Sequence, residues 1–233
     1  MKRRRFLSSC ALLGSATGLS AMSAAWADVP PRRYARTHLV DIHGAPVRAS
    51  ALAADTNYVF QYPYAATPCF LLKLGRRAAA AGELRRQDGN TYAWQGGVGP
   101  GGNLVAFSAI CAHKLAYPTR DVSFIRFQRE PSPTSGGSVI HCCADHSVYD
   151  PAAGARVIAG PAPQPLAAIV LEHDAVRDEI YAVATQGPEQ FDAFFAKYET
   201  KLALEYGSKA RADVAGTSVV RELEQYCRTT IRC

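Results

Sequence analysis

The sequence predicts an all-β fold of antiparallel strands over roughly residues 38 to 186, followed by a helical C-terminal extension over 187–233. Three observations predict it. Short runs rich in Val, Ile, Phe and Tyr recur along the chain, each bounded by Gly, Pro, Asn or Asp. Breaks such as "GGVGPGG" and "QREPSPTSGG" are turn-forming and separate those runs. Helical periodicity is confined to the segment after residue 186.

The elements follow in order. Residues 1–27 read as a targeting segment: Lys2 and Arg3–Arg5 precede 22 uncharged residues, Phe6 to Ala27, and Ala25-Trp26-Ala27 fits a small-x-small cleavage site. "RRRFL" resembles the twin-arginine export signal, which carries folded proteins, so a periplasmic location is expected. An ordinary secretory signal is the competing reading. Anchoring to the inner membrane is the third: the stretch is long enough to span a bilayer, but so polar a stretch inserts weakly.

Residues 28–37, rich in Pro and Arg, read as a tether. "THLVDIHGAPV" suggests a hairpin, and "NYVFQYPYAATPCFLLKL" holds two β-rich runs broken by Pro63 and Pro68. "RRAAAAGELRRQDGN" reads as a loop with a helical turn. "TYAWQGG", "NLVAFSAI", "VSFIRF", "SVIHC", "GARVIAG", "LAAIVLEHD" and "EIYAVAT" are strand candidates. Beyond them, Phe191, Phe194, Phe195, Tyr198 and Leu202 fall at helical spacing between Pro188 and Gly207, an apolar stripe suited to packing on the β-domain. "SVVRELEQYC" reads as a second helix.

Charge excludes little. The net charge is +6, but four positive charges sit at residues 2–5, leaving about +2 for the remainder, so no nucleic-acid partner is inferred. Six cysteines follow the targeting segment: Cys69, Cys111, Cys142, Cys143, Cys227 and Cys233. Three disulfides would suit an oxidising compartment, but a chain of this size buries a core without them. Cys227 and Cys233 lie close together in sequence, and a local disulfide between them is expected. His38, His43, His141 and His173 have no metal-ligand spacing and read as solvated or core histidines.

The chemistry is concentrated in two motifs, Cys111-Ala112-His113 and Cys143-Ala144-Asp145-His146, with 29 residues between them. Each closes an apolar strand-like run, and each offers one thiolate and one imidazole. Two iron ions bridged by sulfide need four protein ligands, and two cysteines on one iron with two histidines on the other make a Rieske [2Fe-2S] centre. Counting C-x-x-H selects Cys143 and His146, with Cys142 turned the opposite way. The same four residues would also suit tetrahedral zinc, so a zinc-stabilised exported binding module is the alternative from the residues alone.

The chain resembles the Rieske iron–sulfur proteins over about residues 38–186. C-x-H…C-x-x-H carries the resemblance, together with "GPAPQPL" (Gly160 to Leu166), which is similar to the Pro loop covering the cluster in cytochrome bc-type members. The resemblance implies an antiparallel β-sandwich with a cluster-binding subdomain. It implies cluster ligands Cys111, His113, Cys143 and His146, a Pro loop built on Gly160, Pro161 and Pro163, and tuning of the cluster by Tyr149 and Ser147. Three departures stand out. The places of the two loop cysteines that form a disulfide in many bc-type members are taken by Ala116 and Asp145. His146-Ser147-Val148-Tyr149-Asp150 is one residue shorter than the bc-type pattern, which takes Ser147 out of its place. "TRDVSFIRFQREPSPTSGG" lengthens the gap between the motifs. Lys114 stands beside a ligand where bc-type members carry an apolar residue, either steering an acidic partner or lying passively on the surface.

A Rieske domain passes one electron and has no catalytic site of its own, so the expected partners are redox proteins. The first expectation is a quinol–cytochrome c reductase-like complex, with a cytochrome b/c-type partner and a quinol as donor. The second is the small subunit of a periplasmic molybdoenzyme of the arsenite-oxidase kind, paired with a molybdopterin subunit, or a stand-alone carrier.

Overall fold

The computed structural model describes residues 29–233; the targeting segment lies outside them. Sixteen short strands carry the fold. They are β1 Arg32–Val40, β2 Tyr58–Gln61, β3 Pro68–Lys73, β4 Gly82–Arg85, β5 Thr91–Trp94, β6 Leu104–Ser108, β7 Val122–Ser123 and β8 Ile125–Gln128 in the first half. The second half adds β9 Val139–Cys142, β10 Ser147–Asp150, β11 Arg156–Ala159, β12 Ala168–Asp174, β13 Glu179–Gln186, β14 Gly216–Val219, β15 Arg221–Glu222 and β16 Thr229–Thr230.

Eight of them form one sheet in the order β14-β1-β13-β12-β6-β3-β2-β15. Its edge strands β14 and β15 are separated by Val220 alone, so the chain steps from one edge to the other and curls the sheet toward a barrel. Ser218 fastens the seam: its hydroxyl donates to Gln61 O at 2.8 Å and accepts from Gln61 N at 3.1 Å. Alternation sorts the side chains. Leu39, Phe60, Leu71, Ala106, Ile180 and Ala182 fill the inside of the curl. Val59, Phe70, Leu72, Val105 and Phe107 face outward into a second core shared with Ile125, Phe127, Ile140, Cys142 and Tyr149 of the smaller sheet. Full burial of each large apolar side chain stabilises the fold by about 1.5–3 kcal/mol. That smaller sheet has the order β11-β10-β9-β8 and carries the second cysteine motif.

The all-β expectation holds, and three details differ from it. Residues 32–37 of the expected tether belong to β1, which pairs antiparallel with β13 and parallel with β14. Pairing with β13 satisfies backbone groups that a tether would leave to water. "RRAAAAGELRRQDGN" gives no helical turn; β4 and β5 form a hairpin around Asp88-Gly89, with Arg86 N donating to Asn90 O at 2.8 Å. The C-terminal extension is only partly helical. Helix α1 (Phe191–Lys197) and helix α2 (Glu199–Tyr206) are two helices broken at Tyr198, and "SVVRELEQYC" supplies β15 and one short helix, α3 (Leu223–Tyr226). Residues after 186 also supply β14 and β16, so the β-domain is not complete at residue 186.

The apolar stripe of α1 and α2 packs as its spacing predicts. Phe191, Phe194, Phe195 and Leu202 bury against Ala66, Ile110 and Tyr117, and Ile110 is the residue before the first cysteine motif. Gln190 Nε2 donates to Ala112 O at 2.7 Å and Lys197 Nζ donates to Lys114 O at 2.5 Å. The helices therefore brace the loop that bears Cys111 and His113.

Candidate metal centre

Two loops meet over the second core. The first begins at Cys111, whose N donates to Ala116 O at 2.9 Å while Leu115 N returns to Cys111 O at 3.0 Å. The second joins β9 to β10. His146 N donates to Cys142 O at 2.7 Å, and His146 takes a left-handed backbone with φ 60°. In the β9–β10 ladder Cys142 opposes Ser147 and Ile140 opposes Tyr149. Strand alternation therefore turns Ile140, Cys142, Ser147 and Tyr149 to the core side, and His141 and Val148 to the other.

Cys111 and Cys142 thus arrive side by side, both fully buried. Their sulfurs and a carboxylate oxygen of Asp145 all lie within 4.8 Å of one another. Asp145 Oδ2 is 2.9 Å from His113 Nδ1 and 3.4 Å from Cys111 Sγ, and Oδ1 accepts from Ser147 N at 3.0 Å. Tyr149 ties the loops together: its hydroxyl accepts from Ala112 N at 3.1 Å and lies 3.5 Å from Cys111 Sγ. Ser147 Oγ is buried on the same side and has no hydrogen-bond partner among the described residues.

The electrostatics separate the two thiols. A hydrogen bond from Cys142, helped by Tyr149 and opposed by burial, lowers the Cys111 thiol to about 7. The same shared proton, with burial and the charge of Cys111, raises Cys142. Burial alone would raise Asp145, but hydrogen bonds from Ser147 N, both thiols and His113 outweigh it and hold the carboxyl below its usual range. Burial raises Tyr149, with the Cys111 charge adding to it. Neighbours in the pocket thus favour the anionic forms of Cys111 and Asp145 over that of Cys142.

Not every residue expected at the site is there. Cys143 is bonded to Cys233 in a disulfide with Cα atoms 5.6 Å apart, so it offers no thiolate. Counting C-x-x-H chose it, but the register of β9 on β10 decides the matter: Cys142 faces the core and Cys143 faces the C-terminal tail. The expected Cys227–Cys233 pair is corrected by the same bond. Cys227 is a free, buried thiol, pushed up to about 12 by burial and the nearby Glu224. His146 is exposed, and its ring meets the edge of His141 at 5.9 Å between centroids. A ring nitrogen of each lies within 4.8 Å of the other and of Cys233 Sγ, a group separate from that of Cys111, Cys142 and Asp145. The other histidines read as expected: His38 and His173 face Glu179 and Asp178, and His141 is buried.

The Pro loop lies against the second cysteine loop. Gly160 has φ +84°, and a Cβ there would stand 2.4 Å from His146 O and 2.6 Å from Ser147 Cα. Only glycine allows that approach. Beyond it, Pro163 and Gln164 join His113, Arg32, Tyr64 and Glu189 around a cleft of about 540 Å³. His113 is thus the site residue that opens on a recess, with 37 % of its side chain exposed.

No family model matches the chain. Among solved structures, it is similar to a Rieske protein. One match is the soluble domain of the Rieske protein II (soxF) from Sulfolobus acidocaldarius, at 28 % identity over 66 % of this chain and 80 % of that one, with a TM-score of 0.44.

Two features escaped the reading of spacing. Asp145 was visible only as the occupant of another residue's place, although Cys142-x-x-Asp145 repeats the same interval once Cys142 is the thiolate. The Cys143–Cys233 bond joins residues 90 apart and has no local signal.

Proposed function

We propose that the chain is an exported one-electron carrier that holds a Rieske-type [2Fe-2S] cluster. One observation carries the reading: two buried thiols from separate loops meet beside an imidazole that opens to a cleft, with a buried hydroxyl, Ser147 Oγ, left without a partner on the thiol side. Soft thiolate and borderline imidazole donors suit iron–sulfur chemistry, and an unsatisfied hydroxyl suits a sulfide acceptor. The residues present fit the group.

Cys111 and Cys142 would hold the cluster's inner side, and His113 would hold it from the exposed side. Bound there, the cluster would take up and release one electron at a time. Tyr149 fixes the Cys111 sulfur and the backbone behind it. The Pro loop, pressed onto His146 and Ser147, excludes water from one side. His113 offers an imidazole at the cleft, where a donor or acceptor could meet it.

The purified protein should be red-brown, contain iron and acid-labile sulfide in about equal amounts, and give a spin-½ signal on reduction. Zinc in place of iron would sink the reading. Cys142→Ser should lose the colour and Cys143→Ser should keep it.

The resemblance of the two cysteine motifs and of Gly160–Leu166 to cytochrome bc-type proteins favours a quinol–cytochrome c reductase-like complex in the periplasm. Purification from native membranes should bring a b-type cytochrome with it. Retrieval of a molybdopterin subunit instead would assign the chain to a molybdoenzyme. Among the described residues no helix is long and apolar enough to cross a membrane, so attachment would fall to the N-terminal segment. Changing Arg3 and Arg4 to lysine should trap the precursor in the cytoplasm. Unimpaired export would refute the twin-arginine route.

A further inference from the structure

We infer that the fourth ligand at this centre is the carboxylate of Asp145, not the imidazole of His146; the inference rests on the cluster reading above. The interval Cys142-x-x-Asp145 places Asp145 one turn of the loop beyond the second thiolate. The Asp145 side chain is 2 % exposed and lies between the two cysteine loops, 2.9 Å from His113 Nδ1 and 3.4 Å from Cys111 Sγ. His146 is exposed, and its left-handed backbone turns its ring to His141 and the disulfide. Asp145 is at the thiols already, whereas the His146 ring is grouped with His141 and Cys233.

Burial adds a second argument. Asp145 sits among two buried thiols and one imidazole, with its side chain almost wholly shut off from water. Among the described residues the only ion pair of Asp145 is with His113, and no lysine or arginine reaches it. A buried carboxylate of this kind is retained when it is paired or binds a metal. One of its oxygens caps the loop through Ser147 N. The other faces the first cysteine loop, 2.9 Å from His113 Nδ1 and 3.4 Å from Cys111 Sγ. A hard, anionic oxygen stabilises the ferric state more than a neutral imidazole does. It also adds one negative charge to the site in both oxidation states, so reduction becomes harder. With one imidazole on the centre, the potential responds to the deprotonation of one ring, not two.

The test counts nitrogens. The full-length protein is produced with ¹⁵N-labelled histidine, reduced, and examined by pulsed electron paramagnetic resonance. One strongly coupled histidine nitrogen is expected, and His146→Ala should leave it unchanged. Asp145→Asn should shift the g-values and raise the potential, and Asp145→His should add a second coupled nitrogen. Two coupled nitrogens in the native protein, one of them lost in His146→Ala, would overturn the assignment while leaving the cluster reading intact. So would an Asp145→Asn variant with unaltered g-values and potential, which would reduce Asp145 to a loop cap. A native protein without any such signal would overturn the cluster reading itself, and this inference with it.

Discussion

Replacing Cys233 by serine removes the bond between the C-terminal tail and the second cysteine loop. The two cysteines are 90 residues apart. In the chain-entropy account, the cost of closing a loop that long in the unfolded chain comes to about 4.6 kcal/mol at 25 °C. Part of the tail's order comes from other contacts: Ile231 N donates to Ser123 O at 2.9 Å, Gln128 Nε2 donates to Cys233 O at 3.2 Å, and β16 pairs with β7. The expected loss is therefore about 4 kcal/mol, with about 2 kcal/mol as the lower end. Urea unfolding followed by circular dichroism should show the midpoint falling by roughly 1–2 M, given a slope of about 2–3 kcal/mol per molar for a domain of this size. Cys143→Ser should match Cys233→Ser, and the double variant should be no worse than either, because all three remove one bond. A reductant should bring the native protein to the same midpoint. A shift below about 0.5 M, or a Cys143→Ser variant far weaker than Cys233→Ser, would refute the reasoning, the second result by restoring a separate role for Cys143.

Other outcomes can be stated more briefly. Tyr149→Phe leaves Ala112 N and the Cys111 sulfur without the hydroxyl, which should cost about 1–2 kcal/mol of stability by chemical denaturation and lower the reduction potential in film voltammetry. Gly160→Ala places a methyl 2.4 Å from His146 O at φ +84°; unfolding should show a loss of about 2–4 kcal/mol, and a neutral result would mean the Pro loop can withdraw. In metal-free protein, Cys111 is lowered to about 7, so the unfolded chain binds more protons between that value and the ordinary thiol range. Stability should rise with pH across this window and be lost as pH falls through about 7. Above the ordinary range the raised thiols Cys69, Cys142 and Cys227 act in the opposite sense. Melting temperatures from pH 6 to 10, compared with Cys111→Ser, test both limbs.

The strands of the sheets were legible because their residues alternate or run apolar between Gly and Pro, and the α1–α2 stripe because five aromatic or aliphatic residues share one face. The start of β1 was not legible, because Arg32, Arg33 and Arg36 give it a polar face and only β13 makes it a strand; its end, Thr37–Val40, was read in the hairpin "THLVDIHGAPV". β14 and β15 were hidden for the same reason, since Gly216–Glu222 lack a run of their own. The β4–β5 hairpin did carry its sign, Asp88-Gly89, but four alanines before it weighed toward a helical turn. At the site, Cys111 and His113 were singled out by their spacing, and Tyr149 by the resemblance to the Rieske proteins. The choice between Cys142 and Cys143 was not legible, because it depends on which strand face meets the core, and a shift of one residue reverses the answer.

The seam between β14 and β15 has a consequence for the order in which the molecule can form. The sheet closes when Gly216–Val219 reach β1 and Arg221–Glu222 reach β2, joining segments more than 150 residues apart. Contacts at such separations form slowly, because the intervening chain must be gathered first. Both edges of the large sheet stay open until then, offering unpaired backbone to any neighbouring chain. The protein is therefore most exposed to misassembly until residues 216–222 are in place, and a chain drawn across a membrane unfolded would meet that hazard again on the far side. A route that moves the closed barrel whole would spare it the second passage.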